Sequence, residues 1–306
     1  MLDVRKLGLL CDLERLGTIA AVAQARSYTA SAVSQQLAAL EREAGVPLLE
    51  RTGRTVGFTP AGLLLVRQSE AVLAALEAAE AALAAVRTGP AGPVRIGAYP
   101  SAVRSLLPTA LVSLAHHHPA LELTVAELDP ADVPAALRER RLDVGLLHDY
   151  DLAPAEADTA LDSVPLLDET VFLASPVVAP AGSVELARDA PWIVASAGTL
   201  CHEVTLRVCA AAGFTPRVRH RADDFATVLA LVGAGQGVSL VPELAVAQEL
   251  PGVHLVPLDT RRRTRVAYRR GAGGHPAIAA VVAALVTRWP APAFAAGPPE
   301  PAVPVR

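Results

Sequence analysis

The chain is poor in cysteine and almost free of lysine. Its 306 residues include three cysteines, Cys11, Cys201 and Cys209, too few for the disulfide framework of a small secreted domain. Lys6 is the only lysine, so arginine carries nearly all of the positive charge. The net charge is −4, and the molecule as a whole is therefore no general binder of polyanions. Contact with nucleic acid would have to rest on one local surface.

Long apolar runs are missing as well. No stretch approaches the length that a membrane-spanning helix needs, and the N-terminal residues 1–17 carry charges throughout, unlike the apolar core of a signal peptide. The sequence also contains no phosphate loop, nucleophile elbow or zinc signature. These absences predict a cytoplasmic protein with no membrane partner, no metal site, no cofactor and no catalytic site.

Two short helical patterns, residues 18–25 and 30–44, meet at a tight break near the N-terminus. The four residues between them have the length of a helix-turn-helix connection. An ordinary helical hairpin with a solvated polar face is the alternative interpretation. Apolar residues recur at three- and four-residue spacing on one face of each helix: Ile19, Val22 and Ala23 in the first, and Val33, Leu37, Leu40 and Ala44 in the second.

The opposite face of the second helix carries short hydroxyl and amide side chains. Such groups can reach base edges and phosphates in a major groove. They are Ser31, Ser34, Gln35 and Gln36. A preceding helix would back the hairpin through Leu7, Leu10, Leu13 and Leu16.

A small β-hairpin is predicted after the second helix. Two strand-like pieces, residues 48–49 and 56–58, flank Thr52-Gly53-Arg54. This hairpin would form a wing with Arg51 and Arg54 near its tip, where arginine can follow a phosphate backbone or enter a minor groove. The alternative is that both arginines are solvated loop charges.

A long helix follows, beginning at Thr59-Pro60 with a threonine cap and a proline in the first turn. It is predicted to run to about Arg87, roughly 42 Å at the usual rise per residue. A heptad seam of this kind suits pairing with a second copy, although a helix packed on its own domain is the alternative. The seam consists of Leu65, Val72, Ala79 and Val86, with Leu76 and Leu83 on the adjoining position.

Residues 1–93 resemble the N-terminal part of a LysR-type transcriptional regulator. The resemblance rests on the hairpin, on the runs SAVSQQLAALERE and GVPLLERTGR, and on TPAG at the start of the long helix. It implies a winged helix-turn-helix that binds promoter DNA and a helix that joins two copies, as a homodimer or homotetramer. The resulting set of predicted DNA contacts is Thr18, Thr29, Ser31, Ser34, Gln35, Gln36, Arg51 and Arg54.

Beyond the linker, strands alternate with helices in the pattern of a parallel α/β sheet. Two similar halves, with the last strand and helix returning to the first half, resemble the LysR effector domain, which is similar to type 2 periplasmic-binding proteins. The fold class is thus α+β and multi-domain. The predicted divisions are 1–60 for the winged domain, 61–88 for the dimerisation helix, 89–93 for a hinge, 94–163 with 260–289 for lobe 1, 164–259 for lobe 2, and 290–306 for a disordered tail.

Ligands of open α/β sheets bind outside the carboxyl ends of the strands, between the lobes. Two predicted helix starts at that place offer free backbone N–H groups and hydroxyls, which suit a carboxylate. Ser101 and Thr199 are the strongest candidates, with helix capping as the alternative, and His148 ends a strand there, with a hydrogen-bonded structural role as the alternative. The predicted effector contacts are Ser101, Ala102, His148, Ser196, Gly198 and Thr199.

Two further features need interpretation. Cys201 lies at a predicted helix start, where a thiol pKa can be depressed, and some peroxide-sensing members of the LysR family use a cysteine pair in this region. Cys209 follows on the same helix, roughly 12 Å further along its axis, so that a disulfide would require unwinding and buried, inert thiols are favoured. The run Arg261–Arg263 is expected to flank an exposed strand or to meet acidic residues of the other lobe.

The predicted function is therefore a transcription factor that binds double-stranded promoter DNA and responds to a small-molecule effector, for which a carboxylate is the candidate, between its lobes. The alternative is a cytoplasmic two-lobed enzyme or solute-binding protein that uses its N-terminal helices only for assembly. An acid–base or nucleophile constellation would favour an enzyme, and the sequence offers none.

Overall fold

The computed structural model describes residues 1–52, 55–86, 89–154, 158–246 and 251–288. The predicted tail at 290–306 lies outside them. Within the described part, no helix is long and apolar enough to cross a membrane. The α-helices are α1 Val4–Leu16, α2 Ile19–Ala25, α3 Ala30–Ala44, α4 Pro60–Ala85, α5 Pro100–Ser105, α6 Leu107–His117, α7 Val133–Arg138, α8 Leu200–Ala211, α9 Phe225–Gly233 and α10 Pro276–Arg288.

The strands follow the order that the sequence pattern predicts. Short 3-10 turns at Glu185–Ala187, Glu243–Ala245 and Ala272–Gly274 complete the described elements. The strands are β1 Leu49–Thr52, β2 Thr55–Phe58, β3 Gly92–Ala98, β4 Leu121–Glu127, β5 Val144–Tyr150, β6 Leu161–Pro176, β7 Pro191–Val194, β8 Arg217–Arg221, β9 Ser239–Pro242 and β10 Val253–Arg269.

Helices α1 to α3 form the N-terminal core. Side-chain caps begin the second and third helices, since Thr18 accepts from the Ala21 N–H and Thr29 accepts from the Ala32 N–H, each at 3.1 Å. Gly45 ends α3 in the left-handed conformation, at φ +70°. The helix therefore begins and ends where the sequence pattern predicted. Its apolar face packs into a core that contains Leu10, Leu13, Val22, Val33, Leu37 and Leu40.

Helix α4 has two different faces. One face packs on its own chain, where Gly62, Val66, Ser69 and Ala81 are buried. The other face is exposed over most of its length, so packing on its own chain covers Leu65 of the predicted seam and leaves Val72, Leu76, Leu83 and Val86 exposed. The exposed apolar residues of α4 and its C-cap are Leu63, Leu64, Val72, Leu76, Leu83 and Val86.

The C-terminal part contains a six-stranded sheet of order β4-β3-β5-β10-β6-β9 and a two-stranded parallel sheet of β7 and β8. Strands β3, β4 and β5 run parallel, whereas β10 runs antiparallel to β5 on one side and to β6 on the other. Helices α6 and α10 pack on the first part of this sheet. Trp192 centres a second core, built from β7, α8 and the ends of β5 and β6.

Two elements differ from the sequence-based expectation. The sequence pattern of residues 101–117 suits one continuous helix, but the chain breaks at Leu106 into α5 and α6, because Pro108 supplies no N–H to continue the hydrogen-bond ladder. Residues 254–258 and 262–270 suit two short strands in the sequence, but they belong to one strand, β10, with a shift in pairing register between Pro257 and Arg261. Strands β6 and β10 consequently both extend across the predicted boundary between the lobes.

The Gly62→Ala change is expected to destabilise the N-terminal domain by about 1–3 kcal/mol through overpacking. A Cβ atom at this position would lie 2.1 Å from the backbone oxygen of Leu48, so the wing and α4 would have to separate. Calorimetric unfolding of the full chain measures the effect. Gly57→Ala is the matched control, since its Cβ would meet Glu50 Cγ at 3.5 Å, an ordinary contact. Equal effects of the two changes would contradict the prediction.

Candidate functional site

The outward face of α3 presents most of the side chains that the sequence singled out. Ser31, Gln35 and Gln36 are exposed and Ser34 is half-buried, while Val33 and Leu37 between them face the core. Thr18 and Thr29 are also exposed, and both serve as helix caps. A capping hydroxyl retains acceptor capacity, so capping does not prevent contact with a phosphate group through a bridging water.

The wing is described only in its backbone near the tip. Strands β1 and β2 pair antiparallel, with Leu49 opposite Phe58 and Arg51 opposite Val56. Arg54 and the side chain of Arg51 lie outside the described residues, so their contribution to DNA binding stays a prediction.

Lobe 1 contributes three predicted effector residues to the region where the lobes meet. Ser101 and Ala102 lie buried in the first turn of α5, and His148 lies buried in β5. Ser101 is not the helix cap that the alternative interpretation proposed, since Tyr99 occupies that place. The Tyr99 ring packs edge-on against the His148 ring, with 4.9 Å between centroids. Burial and the nearby Arg262 guanidinium hold the pKa of His148 well below its ordinary value, which keeps the imidazole neutral.

Lobe 2 contributes the loop between β7 and α8. The Ser196 N–H and hydroxyl both donate to the Asp223 carboxylate at 2.7 Å. Thr199 caps α8, accepting from the His202 N–H at 3.2 Å and donating to the Ser196 carbonyl at 2.8 Å. Gly198 adopts φ +93°, a left-handed conformation that favours glycine in this turn. The loop is thus held in shape by its own hydrogen bonds, in agreement with the capping interpretation of Thr199.

A charged centre lies between the lobes, and the sequence pattern did not predict it. Arg262 was expected to flank an exposed strand, but β10 lies inside the sheet and Arg262 is fully buried against Glu169. The alternative, that these arginines meet acidic residues of the other lobe, is confirmed for Arg262 with Glu169 and for Arg261 with Asp168, whereas Arg265 binds Asp149 of its own lobe. Side chains alternate between the two faces of a strand, and Arg262, Thr264 and Val266 share the buried face of β10. This alternation was the sequence feature that could have predicted the burial of Arg262.

Cys201 meets lobe 1 at the end of β5. Its Sγ lies 3.3 Å from the Tyr150 hydroxyl, and a cavity of about 20 Å³ beside the pair is lined in part by Asp223 and Ser239. Such a volume holds one water molecule. The expected depression of the Cys201 pKa is wrong, because burial raises it. Burial likewise raises the pKa of Cys209 to about 12.

A surface ion pair links a helix of each lobe. Arg104 on α5 of lobe 1 binds the carboxylate of Asp224, which caps α9 of lobe 2. Both side chains are partly exposed, so the pair contributes little stability in water and can open at small cost. The lobes are therefore in contact without being locked together.

Comparison with known families accounts for both parts of the chain. Residues 4–63 match the family described as bacterial regulatory helix-turn-helix protein, lysR family, and residues 87–290 match the family described as LysR substrate binding domain. The chain belongs to the LysR family of transcriptional regulators. LysR regulators bind promoter DNA and small-molecule effectors and form oligomers. The chain is thus a regulator whose promoter binding or activation is modulated by a small-molecule effector bound between two α/β lobes.

Three relatives illustrate this LysR membership. A probable hydrogen peroxide-inducible genes activator of Mycobacterium avium is 34% identical over 237 residues, which cover 74% of this chain and 73% of that protein. The structure of a Corynebacterium glutamicum OxyR cysteine mutant with bound hydrogen peroxide has a TM-score of 0.56 at 25% identity, covering 93% of this chain and 92% of that chain. Full-length CbnR with its target DNA has a TM-score of 0.52 at 20% identity, covers 94% of this chain and 99% of that one, and supports the fold alone.

Native Cys201 is expected to react with iodoacetamide at neutral pH at least about tenfold more slowly than Cys201 in the unfolded chain. The reason is that burial raises its pKa and leaves little thiolate. Mass spectrometry of alkylated peptides over time measures the rate, with the denatured protein as the control. Similar rates in the native and unfolded proteins would show that the thiol is activated after all.

Proposed function

We propose that α3 of this LysR regulator lies in the major groove of promoter DNA. The observation that carries the proposal is the division of α3 into a buried apolar face and an exposed face with Ser31, Gln35 and Gln36. Amide side chains in this position can bind adenine with two hydrogen bonds. Thr18 and Thr29, at the starts of α2 and α3, would contact phosphate groups, as would Arg51 and Arg54 from the wing.

Gln35→Ala is expected to weaken binding to the operator about ten- to a hundredfold, the usual cost of losing a base contact. Fluorescence anisotropy on duplexes tiled across the DNA upstream of the gene measures the affinity at several salt concentrations. Gln236→Ala is the matched control, because it removes a glutamine from the turn after α9, outside both the winged domain and the pairing helix α4. Equal losses in both variants, or no salt-sensitive binding by the wild type, would count against the proposal.

The exposed face of α4 is proposed to pair with α4 of a second copy. The seam is apolar and exposed at Val72, Leu76 and Leu83, and a helix of this length has room for several heptads.

The proposed domain boundaries are those predicted from the sequence, with the winged domain at 1–60, the pairing helix at 61–88, a hinge at 89–93, and the lobes beyond. We also place the protein in the cytoplasm, where promoter DNA is accessible, and assign it no catalytic activity of its own.

Leu76→Glu combined with Leu83→Glu is expected to weaken self-association at least about a hundredfold, since two carboxylates would enter an apolar seam. Sedimentation equilibrium measures the change in mass. Leu186→Glu, at an apolar residue of lobe 2 that is 76% exposed, is the control and should leave the mass unchanged. Retention of the wild-type mass by the double variant would place the interface elsewhere.

The effector is proposed to be a small carboxylate that binds between Ser101, Ala102 and His148 of lobe 1 and Ser196, Gly198 and Thr199 of lobe 2. Ser101 supports this assignment most directly, because its buried Oγ has no hydrogen-bond partner among the described residues. Binding would favour one arrangement of the lobes and thereby one arrangement of the two winged domains in the dimer.

Peroxide sensing through Cys201 is the second candidate, suggested by the contact of this thiol with Tyr150 and by the function in the name of the Mycobacterium avium relative. The raised pKa of Cys201 opposes it, as does the helical separation from Cys209. A stable disulfide after peroxide treatment, detected by mass spectrometry, would favour this candidate over the carboxylate.

A further inference from the structure

A second cleft lies between the winged domain, α4 and lobe 1. Its cavity has a volume of about 860 Å³, which is in the range of small-molecule sites. Its walls are α1 with the turn between α2 and α3, the middle of α4, and lobe 1 at α7 and the end of β10. None of the effector contacts proposed above lines this cavity, and Leu76 is the only residue of the α4 seam that borders it.

The lining of this cleft is basic. Eight basic and four acidic side chains line it, although the net charge of the whole chain is −4. A concave surface of one charge sign attracts ligands of the opposite sign. The basic residues are Arg5, Lys6, Arg15, Arg26, Arg138, Arg140, Arg269 and Arg270, and the acidic ones are Asp3, Glu70, Glu77 and Glu80.

The positive charge is neutralised on the α4 side of the cleft. Glu77 binds Arg140 at 2.6 Å and Arg269 at 3.1 Å, and Glu80 binds Arg140 at 3.2 Å. These two arginines therefore already have carboxylate partners, and an anion would gain little from them.

The opposite side, where the winged domain faces lobe 1, has fewer carboxylates than guanidinium groups. Asp12 is shared by Arg15 and Arg26, and Asp158 binds Arg138 from lobe 1. Burial and the nearby Arg15 guanidinium lower the pKa of Arg138, so like charges face each other across the cleft. An anion between Arg15 and Arg138 would replace this repulsion with two attractions.

Arg270 adds a third guanidinium to this side of the cleft. Its Nη1 donates to the Thr159 carbonyl at 3.3 Å, and no carboxylate of the described residues lies within salt-bridge distance of it. Arg15, Arg138 and Arg270 each donate one side-chain hydrogen bond within the described part of the chain. A guanidinium has five N–H donors, so each of the three retains donors for a ligand.

The chemistry of these donors favours a phosphate group. The planar fork of arginine matches a phosphate with two parallel hydrogen bonds, and a tetrahedral group can accept from several arginines in different directions. A phosphate ion alone would fill only a small part of the cavity. The remaining lining includes Leu9, Leu73 and the ring of Tyr28, which is 55% exposed, and an aromatic ring of this kind can stack on a nucleobase.

We propose that this cleft binds a phosphorylated small molecule of nucleotide size, whose phosphate groups lie between Arg15 of the winged domain and Arg138 and Arg270 of lobe 1. Such a ligand would tie the winged domain to lobe 1. The site is separate from the cleft between the lobes and depends neither on the carboxylate effector nor on the proposed DNA contacts.

The test compares the thermal midpoint of the full-length protein with adenosine 5′-diphosphate, inorganic pyrophosphate and adenosine, at millimolar concentration and constant ionic strength without divalent cations. Adenosine 5′-diphosphate is expected to raise the wild-type midpoint by about 3 °C. Pyrophosphate should give a smaller rise, because it lacks the base, and adenosine should give none.

Arg15→Gln combined with Arg138→Gln is expected to weaken the binding of adenosine 5′-diphosphate at least about a hundredfold, and Arg270→Gln about tenfold, as judged by titration calorimetry. The double change leaves Asp12 paired with Arg26, and Asp158 still accepts from the Ala160 N–H at 3.0 Å. Arg67→Gln is the matched control, since it removes an exposed arginine of α4 that does not line the cleft and should retain the wild-type affinity.

The unliganded midpoint separates loss of binding from loss of folding. Should the double variant unfold early, Arg270→Gln decides the question, because Arg270 is exposed. No rise with either phosphate compound in the wild type would overturn the proposal, as would equal affinities in Arg270→Gln and Arg67→Gln. If the wild type ignores adenosine 5′-diphosphate while the double variant loses affinity for the operator duplex, the arginines serve the DNA backbone and the small-molecule site is refuted.

Discussion

The pairing of β6 with β10 holds the two lobes of the effector domain together. The two strands pair antiparallel along most of their lengths, from Val253 opposite Pro176 to Arg269 opposite Leu161. Each strand contributes to the cores of both lobes. Neither lobe can therefore move without bending the two-stranded ribbon that β6 and β10 form. The ion pair of Arg262 and Glu169 lies within the ribbon, and a buried pair of this kind is strongly destabilising when one partner is removed. The pair therefore stabilises the pairing of β6 with β10, on which both lobes depend.

The β6–β10 ribbon also contacts α4, the helix that follows the winged domain. Arg269, at the end of β10, binds Glu77 of α4 at 3.1 Å, and Arg140 of lobe 1 binds the same carboxylate at 2.6 Å. Gly271 approaches α4 so closely that a Cβ atom there would lie 2.2 Å from the Ala74 carbonyl oxygen. Lobe 1 and α4 thus form a continuous set of contacts, and a change at the ribbon has a physical route to the helix that carries the reader.

Local sequence patterns predicted the elements of the winged domain well and those of the effector domain less well. Residues 30–44 form α3 as predicted, because the apolar spacing, the Thr29 cap and the Gly45 terminator all agree. The break at Leu106 depends on Pro108 alone, which a periodicity argument passes over. Arg262 could not be placed from composition, since a run of arginines is usually solvated. Only the strands on both sides of β10, which are distant in sequence, bury it.

The two candidate effectors meet at the same place in the fold. Tyr150 ends β5 and touches Cys201, while its ring packs edge-on against His148, 5.5 Å away, which in turn contacts Tyr99 beside Arg262. A thiol whose raised pKa keeps it protonated is a poor nucleophile, whereas the Arg262 guanidinium is permanently charged and its Nη1 has no hydrogen-bond partner among the described residues. The electrostatics of this cluster therefore favour a carboxylate over an oxidant.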